Sequence, residues 1–100
     1  MTTSLFSVPV RAAETVMIAG LGTISCGAWT TARHDRGAWG YEQWVFGYLS
    51  GTADNLGGVV DPLRGLDKQA VWSWMDNYCR AHPLEKIYKA SRVFLKEHPR

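Results

Sequence analysis

Residues 75–90, MDNYCRAHPLEKIYKA, set Asp76, Cys79 and His82 at successive intervals of three residues. On a helix this spacing draws the three side chains along one strip, where they offer oxygen, sulfur and nitrogen donors to a metal, or a thiol to nucleophilic chemistry. A competing reading comes from Cys26, the only other cysteine in the chain. Two cysteines in a small exported domain are more often a disulfide than a reactive pair. The metal and nucleophile readings stay open as alternatives, although no complete zinc spacing or nucleophile motif accompanies them. In the disulfide reading Cys79 faces the core, His82 is a helix-end residue beside Pro83, and Asp76 forms a weak surface pair with Arg80 one turn on.

Other chemistry is thinly represented. Glu14, Glu42, Asp54, Asp61, Asp76 and Glu85 contain no pair whose spacing marks acid and base work, and GLG at 20–22 lacks the strand and helix context of a phosphate-binding loop. His34 has Asp35 beside it, which would polarise an imidazole, but an exposed charged helix end explains the pair more simply. Trp44 and Trp74 belong to core stripes. Trp29, Trp39 and Trp72 are left as rings for a carbohydrate-stacking surface.

The elements that must position these residues are helical. CGAWTTARH at 26–34 is a short helix, ended by HDRGAWG. In YEQWVFGYLSGTADNL, Tyr41, Trp44, Val45, Tyr48 and Leu49 recur on one helical face. Gly47 and Gly51, one turn apart beside that stripe, predict a close crossing by another backbone, since each costs a helix about 1 kcal/mol relative to alanine. GGVVDPLRGLD at 57–67 is a loop by its glycines and Asp-Pro, and Asp61 and Arg64 there are the candidate binding residues. Asp67 caps a third helix from about Lys68 to Ala81, with Val71, Trp74, Met75, Tyr78 and Cys79 on its core face. Pro83 ends it and opens a last helix whose stripe is Leu84, Ile87, Tyr88, Ser91, Phe94 and Leu95. Glu85, Lys89, Arg92 and Lys96 form that helix's solvated face.

Composition narrows the field. At 100 residues, 46% hydrophobic and 20% charged, the chain is sized and stocked for one domain with a real core. A net charge of +2 with scattered basic residues does not form the stripe of a nucleic-acid binder. No stretch has the length of a membrane span. Residues 1–25 form a separate N-terminal segment, either a partial export signal or an irregular arm, ahead of a helical domain at 26–100. VRAAE at 10–14 has the look of a cleavage-site tail, and VMIAGLGTIS running into Cys26 is a weaker, lipoprotein-like alternative.

CGAW, then WVFGYLSG, then WMDNYCRAHPLEKIYKASRVF resembles small exported bacterial proteins related to the Tai-type and resistance-associated immunity proteins of type VI secretion, and more loosely the HdeA acid-stress proteins. The likeness covers residues 26–95. Cys26, Trp44, Gly47, Tyr48, Gly51, Cys79 and Pro83 carry it, and all seven read as structural: a disulfide, a helix contact and a helix start. The resemblance implies a small periplasmic helical bundle that acts by binding protein, a secreted toxic hydrolase for immunity proteins and an acid-unfolded client for HdeA-like ones. The expectation is therefore an all-α bundle of about four helices with a Cys26–Cys79 disulfide, periplasmic or secreted and not an enzyme. It would use no cofactor or metal and neutralise a protein partner, with homodimerisation left open. An acid-stress chaperone, and a small hydrolase or metal protein using Asp76, Cys79 and His82, are the alternatives.

Overall fold

The computed structural model describes residues 17–55, 57 and 61–98, so the signal-like motif at 10–14 and loop residues 58–60 lie outside the described residues. Four helices carry the fold: α1, Cys26–His34; α2, Trp39–Asn55; α3, Lys68–Ala81; and α4, Ile87–Glu97. Among the described residues there is no strand, only an isolated antiparallel bridge between Ser25 and Lys86. α1 packs mainly on α3, and α4 packs on both α2 and α3. The core between them is Trp29, Val45, Leu49, Val71, Trp72, Met75, Ile87, Ala90 and Phe94, together with the Cys26–Cys79 disulfide.

The sequence bounds of α3 hold, and Asp67 caps it as its chemistry requires, its Oδ1 accepting from the Ala70 N–H at 2.8 Å. α4 is different. Pro83 does not open it: residues 83–86 form a turn, and the helix begins at Ile87. The reason lies in α1, whose first N–H groups have no partner of their own within the helix. The Cys26 N–H donates to the Glu85 carbonyl at 2.7 Å, and the Gly27 N–H to the Pro83 carbonyl at 2.9 Å. The Ser25 hydroxyl accepts from the Ala28 N–H. A helix begun at Pro83 would withdraw those carbonyls from α1. Leu84 consequently leaves the core stripe and stands 92% exposed.

The close approach expected on α2 also occurs elsewhere. Gly47 and Gly51 are exposed, and no described atom lies within 4 Å of where their side chains would start. Contact is made instead by the segment before α1, which crosses α2 at Trp44. A Cβ on Gly22 would fall 2.1 Å from the Trp44 ring, and the Trp44 indole N–H donates to the Ala19 carbonyl at 2.9 Å. Residues 19–25 therefore pack with the helical domain. α2 has its apolar stripe on one side, and that stripe is covered by α4 and by this arm, which leaves the glycines facing outward.

In the 57–67 loop, Pro62 is buried and Leu63 and Leu66 pack against the core. Asp61 Oδ1 accepts from the Leu63 N–H at 3.2 Å, closing a local turn, and Arg64 lies 3.9 Å from Asp61. This half of the loop is anchored.

Candidate functional site

The 76–82 strip is divided in the folded chain. Cys79 is bonded to Cys26, and both are fully buried. His82 lies outside, its ring stacked on Tyr78 at 4.1 Å and its Nδ1 2.9 Å from the Tyr78 carbonyl. Asp76 turns toward α1 rather than to Arg80, which is held by Asn77 instead. Among the described residues no three His, Cys, Asp or Glu side chains gather as metal ligands.

Asp76 belongs to a network that joins three helices. Arg33 on α1 grips it with two parallel bonds, Nε to Oδ1 and Nη2 to Oδ2, each 2.9 Å. The Trp29 indole N–H donates to the same Oδ1 at 2.9 Å, and Arg33 Nη1 reaches Glu42 of α2 at 2.8 Å. Fork-on-carboxylate geometry is the strong form of this interaction. Burial works against the Asp76 charge, but the hydrogen bonds from Arg33 and Trp29, with the Arg33 and Arg80 charges, outweigh it and hold its carboxyl below the usual value. The Asp76 hydrogen bond likewise raises Arg33, against the cost of its burial and with help from Glu42.

Beside this network a groove of about 390 Å³ opens between α1 and α3, lined by Thr30, Arg33, His34, Asp76 and Arg80. Thr30 Oγ1 is buried with no hydrogen-bond partner among the described residues. The α1–α2 corner adjoins the groove. Arg36 takes up a left-handed conformation there, φ 64°, in a helix stop where the Gly37 N–H bonds back to the Ala32 carbonyl. Trp39 is 73% exposed, whereas Trp29 and Trp72 are core residues, so the ring set expected for sugar stacking does not assemble. Asp61 and Arg64 sit apart on the loop before α3, and Trp44 and Tyr48 stack on each other at 5.2 Å.

Arg33 carried no local sign of its role, because its partners lie 43 and 9 residues away. A signal exists once Cys26–Cys79 is granted. Cys26 begins α1 and Cys79 lies near the end of α3, so their bond brings the two helices together with Arg33 two turns from it on α1 and Asp76 one turn from it on α3.

Compared with family models, curated proteins and solved structures, the chain matches none. No comparison links it to the secretion-system immunity proteins or to HdeA-like proteins.

Proposed function

We propose that the chain is a non-catalytic binding domain of the immunity type, working in an oxidising compartment and neutralising a protein partner. The fate of the 76–82 strip is the observation that favours this over an enzyme. Its thiol is in a buried disulfide, its carboxylate is spent on Arg33 and Trp29, and its imidazole is stacked on the outside. A buried disulfide also suits a periplasmic or secreted protein, since reducing compartments disfavour such bonds. In the described residues no helix is long and apolar enough to cross a membrane.

The test is affinity capture from native cell extract with oxidised protein, followed by size-exclusion chromatography of the purified pair. An immunity-type protein gives one dominant partner in a stoichiometric complex that stays intact at neutral pH. Broad, unselective capture that appears only after acidification, together with exposed apolar surface, would establish the HdeA-like chaperone in its place. Turnover of a substrate lost on substituting His82 would overturn the non-catalytic reading.

A further inference from the structure

We infer that the α1–α2 corner and the adjoining α1–α3 groove form the docking surface, and that they take a protein partner presenting a carboxylate beside an apolar hollow. The inference rests on the protein-binding reading above and goes further by assigning it a face and a partner chemistry.

Hydrogen-bonding capacity is the first ground. Two of the three acidic groups at this corner are engaged: Asp76 accepts three bonds and Glu42 accepts one from Arg33, while Asp35 is exposed beside an exposed His34. The donors are not used up. Arg80 makes one local bond to Asn77, and Arg36 has no hydrogen bond or ion pair among the described residues. Arg33 donates through only three of its five N–H groups and is held rigid by those bonds. Asp76 is the one carboxylate among the residues lining the groove and both its oxygens are already bonded, and an incoming carboxylate matches guanidinium pairs in shape and charge.

Side-chain placement is the second ground. Trp39 lies one turn before Glu42 on α2, and Glu42 bonds to Arg33 of the groove, so Trp39 belongs to the same corner. A tryptophan exposed over 73% of its surface, three residues after Arg36, has the composition of an interface anchor. Arg36 is held at a positive φ that glycine would occupy without strain, and Gly37 stands one position too late to relieve it. In the loop before α3, the described residues 61–67 are pinned by the buried Pro62 and by the turn that Asp61 closes.

Carbodiimide coupling tests this directly, since it joins an amine to a carboxylate only where the two are already in contact. Full-length oxidised protein carrying Arg36→Lys or Arg80→Lys is mixed with native cell extract, coupled, digested and sequenced by mass spectrometry. The expected product joins a peptide containing position 36 or 80 to an Asp or Glu of one other protein. Adding Trp39→Ala should reduce its yield at least tenfold without moving the melting temperature, because that ring lies largely outside the core. Coupling to a second copy of this chain would overturn the inference in favour of a homodimer. Foreign carboxylates joined at Lys68 or Lys89 but not at 36 or 80 would overturn the surface and leave the binding reading standing. No foreign protein joined at any lysine would overturn both.

Discussion

Asp76 accepts three hydrogen bonds from α1, and its value to the fold depends on pH. Its carboxyl is held below the ordinary aspartate value of 3.8, so its stabilising contribution is complete above that value and lost as the pH falls through the lower, folded one. Asp76→Ala should cost about 2 kcal/mol at pH 7, since Arg33 and the Trp29 N–H lose a charged acceptor. The same variant should show a flatter decline below pH 4, and urea melts at pH 7 and pH 3 read both effects. Arg36 gives the opposite sign. Arg36→Gly should raise stability by about 0.5 to 1 kcal/mol, the left-handed penalty partly offset by the freer unfolded chain, as measured by the denaturant midpoint.

At the scale of elements, the glycines on or against α2 behave oppositely because Gly22 meets a ring while Gly47 and Gly51 meet open space. Gly22 is pressed on Trp44, and Gly22→Ala should destabilise by about 1 to 3 kcal/mol as the arm is forced off the indole. Tryptophan fluorescence should report the change in the ring's surroundings. Gly47→Ala and Gly51→Ala should each stabilise by up to about 1 kcal/mol, because exposed helix interiors favour alanine. A loss of stability at either position, seen in thermal melts, would mean that another part of the chain covers that face. The start of α4 follows a similar logic of partners. Residues 83–86 give up helix to satisfy the N–H groups of α1, and the short helix α1 gains an anchored first turn.

For the whole molecule the disulfide is the main staple. Cys26 and Cys79 are 53 residues apart in sequence, and closing a loop of that length is worth about 4 kcal/mol in the chain-entropy account. That is a large share of the stability of a domain this size. Reduction, or the paired Cys26→Ser and Cys79→Ser variant, should lower Tm by roughly 20 °C. Mass spectrometry of protein purified without reductant should show the mass two hydrogens below the reduced form. A small domain that depends on one covalent link to this degree is suited to an oxidising compartment, in keeping with the proposed binding role outside the cytoplasm.

Local chemistry alone determined a good part of this protein. Asp67 announced the start of α3, the stripe Val71, Met75 and Cys79 announced its inner face, and the two cysteines announced their bond, because caps, helical period and redox context act within a few residues or a single pair. The folded chain alone decided the rest. Asp76 chose Arg33 over the nearer Arg80, since a half-buried bidentate partner outweighs an exposed one a turn away. Trp29 went to the core and Trp39 to the surface, although both lie in polar, small-residue surroundings in sequence. Gly47 met open space and Gly22 met a ring, because which helix faces are covered is settled by segments tens of residues apart, and no short window of sequence contains both partners.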